Sequence, residues 1–178
     1  MMKRLSTYLP LLVFPLLFAG PAPAQARTME AGSLWMNSSF GSGVKLGSRV
    51  GGSNGFLMLN AGTEYLLSPE LSVIADIDVG VAGTIPLRLH AGARYRLTGL
   101  GSPLSPFAQL QLTAGRVYNA LGADLGLFGI RAGLGADYFI TSRLAGGLVT
   151  HLDLNTTLAE TRAFYGVWEL LATASYAF

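Results

Sequence analysis

The side chains most able to do chemistry are charged or imidazole groups that recur at alternate positions along several stretches of the chain. They are six carboxylates, four arginines and two histidines: Glu64, Asp76, Asp78, Asp137, Asp153, Glu169, Arg88, Arg94, Arg96, Arg131, His90 and His151. In a confined interior, arginine and carboxylate groups form charge-assisted, often bidentate pairs. We therefore expect an ion-pair network, with an open polar path or an internal ligand site as the alternative.

Catalytic and metal-binding interpretations of these residues are weaker. In the segment His151-Leu152-Asp153 a histidine and a carboxylate share one face, but catalysis also requires a nucleophile or base in a workable cluster. The two histidines lie on separate stretches, without the spacing typical of a metal site. We therefore expect no catalytic residue, no metal and no cofactor, and assign both histidines to the ion-pair network.

Three glycines, Gly129, Gly133 and Gly135, form a Gly-x-x-x-Gly-x-Gly run that is similar to a nucleotide-binding loop. A nucleotide loop joins a strand to a helix, and this segment has no such context. All three glycines share the face of the charged residues. We expect them to leave space for arginine side chains from neighbouring strands.

The elements that must position these residues are strands of alternating character. From Leu71 to Val81 every odd-numbered residue is apolar, whereas the even-numbered positions include Asp76 and Asp78. From Leu87 to Leu97 the apolar residues alternate with three arginines and a histidine. Because successive side chains of a strand point to opposite faces, each of these strands has one apolar face and one charged face.

Composition indicates how such strands are arranged. The chain is 51% apolar, with a mean hydropathy of +0.44, yet no stretch after Ala26 approaches the roughly 18 consecutive apolar residues of a membrane-spanning helix. In lipid every backbone polar group must be satisfied, and the other spanning structure that does so is a closed barrel. Without Lys3 and Arg4 the chain has ten basic and ten acidic residues, so its charge does not indicate nucleic-acid binding.

Seven alternating runs can be placed between Phe56 and the carboxyl terminus, and an eighth is expected between Ser33 and Val50. Bacterial single-chain barrels have an even number of strands. The sequence therefore predicts an all-β fold, an eight-stranded antiparallel up-and-down transmembrane β-barrel. Turns are expected at one end of the barrel, at residues 68–70, 98–106 and 140–143. Loops are expected at the other end, at residues 41–53, 82–86, 119–126 and 155–163.

The apolar face is expected to meet lipid rather than to fill the barrel. A soluble barrel would carry many lysines and glutamates on its outer face, and this chain has a single lysine after Lys3. Aromatic residues also lie at the ends of the apolar runs, as in the two girdles of an outer-membrane barrel. They are Tyr65, Tyr95, Tyr138, Tyr176 and Phe178 at one rim, and Tyr118, Phe128 and Trp168 at the other.

The amino-terminal residues predict export. Lys3 and Arg4 precede an apolar stretch from Leu5 to Gly20, and Ala24-Gln25-Ala26 has the small-x-small pattern of a cleavage site. We therefore predict a secretory signal peptide over residues 1–26 and a barrel domain over residues 27–178. The chain has no cysteine, so we expect neither a lipoprotein anchor nor a disulfide framework.

The last strand carries the pattern Leu170-x-Ala172-x-Ala174-x-Tyr176-x-Phe178 and ends in an aromatic residue. With the repeated alternation, this ending resembles the small bacterial outer-membrane barrel superfamily typified by the OmpA and OmpX transmembrane domains. The resemblance implies a location in a Gram-negative outer membrane, contact with outer-membrane lipid, and an assembly signal at Tyr176 and Phe178 read by the barrel-assembly machinery. Eight-stranded lipid A deacylases are also similar, but Asp153 occupies the position of the serine in their His-x-Ser pair.

The expected protein is a non-enzymatic outer-membrane barrel with a structural or complex-anchoring role. Its lumen is expected to be plugged by ion-paired side chains, because the interior of an eight-stranded barrel is just wide enough for side chains to fill. A narrow channel for small solutes is the first alternative, and an outer-membrane lipid-modifying enzyme is the second. The sequence does not identify an envelope protein partner.

Overall fold

The computed structural model describes residues 29–46, 54–82, 85–100, 102–118, 124–158 and 164–178 of the 178-residue chain. The regular structure within these ranges consists of β-strands: β1 Leu34–Leu46, β2 Gly55–Leu66, β3 Leu71–Ala82, β4 Ile85–Arg96, β5 Leu104–Tyr118, β6 Asp124–Phe139, β7 Leu144–Thr157 and β8 Phe164–Ala177. Among the described residues, no helix has the length and apolar character needed to cross a membrane.

The strands form one closed barrel in which each strand pairs antiparallel with the next along the chain. β1 also pairs with β8, from Trp35 opposite Ala177 to Leu46 opposite Gly166, and this pairing closes the sheet. The predicted all-β, eight-stranded up-and-down barrel is therefore confirmed. The signal peptide predicted over residues 1–26 lies outside the described residues.

The strands are staggered around the barrel. A path that starts at Trp35 and follows directly opposed residues through all eight strands returns to β1 at Lys45, ten residues further along. Such a shear accompanies a strand tilt of roughly 35–45° from the barrel axis. Because of the tilt, side chains from strands on opposite sides of the barrel can meet at one height in the lumen.

Alternate residues point to opposite sides of the wall, as the sequence pattern predicts. From Leu71 to Val81 of β3, exposed and buried side chains alternate without exception. Leu110, Leu134 and Leu148, on the outer face, are 60–65% exposed. The outer surface is therefore apolar, and the polar residues line the lumen.

The barrel has two ends. The end where β1 begins and β8 ends is called the terminal end, and the opposite end is called the far end.

At the terminal end, the Glu70 carboxylate accepts hydrogen bonds from Thr98 Oγ1 at 2.9 Å and Ser68 Oγ at 3.1 Å. These donors lower the pKa of Glu70 below its ordinary value, because hydrogen bonds to the charged form favour it. Side chains thus join the β2–β3 turn to the β4–β5 turn.

The strands extend further toward the far end than the sequence predicts. Residues 41–46, 85–86, 124–126 and 155–157 belong to strands although the alternation assigns them to loops. The Gly- and Ser-rich residues 41–46 stay in the sheet because β8 pairs with them. Pro86 and Pro106 also lie within β4 and β5, near the first residue of each strand, where proline is tolerated in a sheet.

Candidate functional site

The charged residues of the lumen form two clusters at different heights. The far cluster, toward the far end, consists of Asp78, Arg88, Arg131, Asp153 and Glu169. Arg88 donates from Nη1 to Asp153 at 2.7 Å and from Nη2 to Asp78 at 2.9 Å, and it also pairs with Glu169. All four of these side chains are fully buried. One arginine of β4 therefore holds carboxylates of β3, β7 and β8 together across the lumen.

Arg131 of β6 is the second cation of the far cluster. Its Nη2 lies 2.6 Å from Glu169 and 3.2 Å from Asp78. Both predicted histidines border this cluster, with His90 Nε2 2.9 Å from Asp78 and His151 Nδ1 3.4 Å from Glu169. The far cluster is therefore a continuous network in which each carboxylate contacts at least one guanidinium group.

The near cluster, toward the terminal end, consists of Glu64, Arg94, Arg96 and Asp137. Arg94 Nη1 lies 2.9 Å from Glu64, while Arg96 Nη2 lies 2.7 Å from Glu64 and 3.2 Å from Asp137. The Arg94 guanidinium also lies over the ring of Phe107, 4.2 Å from its centroid, in a cation–π contact. Two carboxylates and two guanidinium groups thus balance one another.

Asp76 lies between the two clusters and has a different environment. Its carboxylate accepts a hydrogen bond from Gln111 Nε2 at 2.5 Å. Among the described residues, no arginine, lysine or histidine nitrogen lies within 4.0 Å of it. It borders a cavity of about 20 Å³ that is also lined by Asn37, His151 and Thr173. Of the residues predicted for the network, Asp76 alone lacks an oppositely charged group within 4.0 Å in the described part of the chain.

Apolar side chains close both ends of the lumen. One buried apolar cluster has members toward the far end, which we call the far layer and which are each at most 4% exposed: Phe56, Met58, Val117, Leu127, Tyr165 and Val167. The same cluster also includes Phe107, Val149 and Leu171 further toward the terminal end. The terminal layer consists of Met29, Trp35, Leu66, Ala145 and Ala177, with the Phe139 ring edge-on to Trp35 at a centroid distance of 5.9 Å. The two ion-paired clusters are therefore enclosed between two apolar layers.

Sequence reasoning missed three lumen residues that shape this arrangement. Lys45 is inward and 8% exposed, but it falls in the predicted loop 41–53. Phe107 directly follows the predicted turn 98–106, and Trp35 lies in the strand that the sequence predicts between Ser33 and Val50 without defining its ends. Extending the alternation by a few residues at each strand end would have placed all three inside.

The three glycines of the Gly-x-x-x-Gly-x-Gly run make room for neighbouring side chains other than the expected arginines. A Cβ on Gly135 would lie 2.5 Å from the Phe107 ring, and a Cβ on Gly133 would lie 2.5 Å from the His151 ring. At Gly129 the nearest atom to such a Cβ is the Leu154 carbonyl oxygen, at 2.1 Å, and the nearest side chain is that of Asn155, at 2.5 Å. Aromatic, imidazole and amide groups of adjacent strands therefore use this space.

The outward aromatic residues lie near two rims. Tyr65, Tyr95, Tyr138 and Tyr176 are next to the last residue of their strands at the terminal end, and Tyr118, Phe128 and Trp168 lie toward the far end. Phe178 is 70% exposed, and its ring meets the Tyr176 ring edge-on with centroids 5.4 Å apart. These positions are where two lipid girdles would be found, but the contact with lipid and the role in assembly stay predictions.

The His151-Leu152-Asp153 segment has the contacts of a buried network. His151 Nε2 lies 2.9 Å from Gln109 Nε2, and Asp153 accepts hydrogen bonds from Arg88 and from Thr113 Oγ1, the latter at 3.1 Å. Both residues face the lumen, as the alternation predicts. Among the described residues, no group of three or more histidine, cysteine or carboxylate side chains is arranged to hold a metal ion.

A closed eight-stranded antiparallel barrel with an apolar outer face and an ion-paired lumen has the fold of the small bacterial outer-membrane barrels. It is similar to OprG from Pseudomonas aeruginosa, with a TM-score of 0.60 and 13% identity over 85% of this chain and 98% of that one. The N-terminal β-barrel domain of Pseudomonas aeruginosa OprF matches with a TM-score of 0.59 and 11% identity, over 83% of this chain and 98% of that one.

Neisserial surface protein A also matches, with a TM-score of 0.59 and 18% identity over 82% of this chain and 96% of that one. At such identities the likeness is one of fold. No protein-family model matches the chain, and neither does any curated protein. The resemblance to small outer-membrane barrels inferred from the sequence is therefore confirmed for the fold.

Proposed function

We propose that the protein is an integral β-barrel of a bacterial outer membrane that serves as a structural element of the envelope or as the membrane anchor of a protein complex. The observation that carries this proposal is the closed lumen, in which two ion-paired clusters lie between apolar layers. Apolar constrictions exclude water and ions. A barrel of this kind offers a rigid body in the membrane rather than a path through it.

The outer surface supports the membrane location. Leucine, valine and isoleucine side chains cover the middle of the wall, and many are 40–65% exposed. Water-soluble monomers rarely expose contiguous apolar patches larger than a few hundred Å². Outer-membrane lipid is the partner that this surface fits. In the same proposal, Tyr176 and Phe178 are the residues that the barrel-assembly machinery recognises.

Export is the first expected result. Protein purified from the outer-membrane fraction should begin at Arg27, because residues 1–26 are removed as a signal peptide. Intact-mass measurement checks this, and replacing Ala26 with a bulky residue should retain the longer species. Wild-type protein that retains Met1, or that is recovered only outside the outer membrane, would contradict the proposal.

Ion conductance separates the closed barrel from the channel. The wild-type protein in planar bilayers should show no steady conductance, and neither should Arg94→Ala, because both apolar layers remain. Heat-modifiable migration in gels shows that each sample is a folded barrel. Reproducible single-channel steps from the wild-type protein, with an ion selectivity that Arg94→Ala changes, would instead support a narrow channel for small solutes.

The proposed role is not enzymatic. His151 and Asp153 are bound into the lumen network, and their side chains point away from the face proposed to meet lipid. Lipid A from a strain lacking the gene should therefore have an unchanged mass spectrum. A loss or gain of acyl chains would favour a lipid-modifying enzyme.

A further inference from the structure

We propose that the cavity beside Asp76 is a binding site for one monovalent alkali cation, with Na⁺ as the ion that it fits. The site lies between the near and far clusters and draws its wall from strands on all sides of the barrel. Asp76 is its anionic ligand. Neutral oxygen atoms of Asn37, Ser39, Asn60 and Thr173 supply the remaining ligands.

The charge of the lumen supports a bound cation. The described lumen-facing side chains include five basic residues, Lys45, Arg88, Arg94, Arg96 and Arg131, and six acidic ones, Glu64, Asp76, Asp78, Asp137, Asp153 and Glu169. One negative charge therefore remains when both histidines are neutral. The two clusters contain five carboxylates and four guanidinium groups, and each of those carboxylates contacts a guanidinium. No cationic nitrogen of the described residues lies within 4.0 Å of Asp76, so Asp76 is the carboxylate left to pair with an added cation. An isolated buried carboxylate is costly unless a positive charge accompanies it.

The polar atoms of the cavity wall support the same site. Asn37 is only 9% exposed, and neither Oδ1 nor Nδ2 has a hydrogen-bond partner among the described residues. Thr173 Oγ1 is also buried and without a partner there. Hard cations take carboxylate, amide and other oxygen ligands. A cavity of about 20 Å³ has room for one small ion or one water molecule.

A monovalent ion fits these ligands better than a divalent one. Two carboxylates, Asp76 and Asp137, and the Arg94 guanidinium border the cavity, so the charged groups of its wall sum to one negative charge. A second positive charge on the ion would exceed this net charge and increase the repulsion from Arg94, because Asp137 is already paired with Arg96. The single unmatched lumen charge is likewise balanced by one positive charge.

Linked folding and binding provides the test. Barrels refolded in detergent are unfolded with urea in NaCl or in choline chloride of equal concentration, since choline is too large for the cavity. The urea concentration at which half of the wild-type protein is unfolded should be higher in NaCl. The equilibrium constant for folding should rise about tenfold for each tenfold increase in Na⁺ concentration above the dissociation constant of the Na⁺ complex. Asp76→Asn should remove this dependence, whereas Asp153→Asn, which neutralises a carboxylate of the far cluster that does not border the cavity, should retain it.

A second measurement does not depend on the aspartate variant. Asn37→Ala keeps the carboxylate but removes an oxygen ligand, so it should weaken the dependence on Na⁺ several-fold. Equal wild-type midpoints in NaCl and choline chloride would overturn the proposal and indicate that a proton neutralises Asp76. A dependence on Na⁺ that persists unchanged in Asp76→Asn would also overturn it, because Na⁺ would then act elsewhere.

Discussion

Replacing Arg88 with methionine is expected to lower the free energy of unfolding by about 3–5 kcal/mol, the cost of breaking a buried ion pair by removing one partner. The expected loss is large because this guanidinium contacts Asp78, Asp153 and Glu169, all with fully buried side chains. Equilibrium unfolding of the refolded barrel in urea, followed by the fluorescence of Trp35 and Trp168, measures it.

Arg143→Met is the matched control for this change, because Arg143 lies exposed in the β6–β7 turn. It should change the free energy of unfolding by no more than about 0.5 kcal/mol. Adding Asp153→Asn to the Arg88 variant should recover part of the loss, since one unpaired negative charge is then removed. An Arg88→Met variant as stable as the control would show that water reaches the far cluster.

Ala91→Arg is expected to lower the free energy of unfolding by about 2–4 kcal/mol in a lipid bilayer, the cost of a cation on the lipid face at mid-membrane depth. Ala91 lies in the middle of β4, opposite Ala75 and Leu112 on the neighbouring strands. The same urea titration in lipid vesicles measures the change.

Leu144→Arg is the control for position on the same face, because Leu144 is the first residue of β7 at the terminal rim. There the expected cost is about 0–1 kcal/mol. Gly92, the inward neighbour of Ala91, is a poor control, because any Cβ there would collide with the Leu110 carbonyl oxygen. Equal losses at Ala91 and Leu144 would contradict the proposed lipid face.

The sequence predicts the fold well because a barrel strand repeats one simple rule. The run from Leu71 to Val81 alternates so regularly that its faces can be read without any knowledge of its neighbours, and β3 has these faces. Strand ends are harder, because pairing across the sheet decides them. Residues 41–46 have a loop-like composition, yet β8 supplies their hydrogen-bonding partners. Pro86 and Pro106 interrupt the pattern without ending the strands.

The candidate site is less predictable, because its contacts depend on the stagger of the sheet. Alternation places Arg88 and Asp153 inside, but their 2.7 Å contact joins β4 to β7 across the lumen. No spacing in the sequence encodes that meeting. The same holds for Asp76, whose partner is Gln111 of β5 rather than an arginine of the adjacent β4. The two apolar layers were also not predicted, because they consist of inward residues near the strand ends, which the alternation does not define.

The pairing of β1 with β8 has a consequence for how the chain folds. Each other pair joins strands that are consecutive in sequence, so those hairpins can form from local contacts as the sheet grows. The last pairing sets Trp35 against Ala177, and it encloses nearly the whole described chain in one loop whose closure has an entropic cost. Until then the growing sheet has two unpaired edges that can template aggregation. The native state is therefore reached only after the carboxyl-terminal strand has been synthesised.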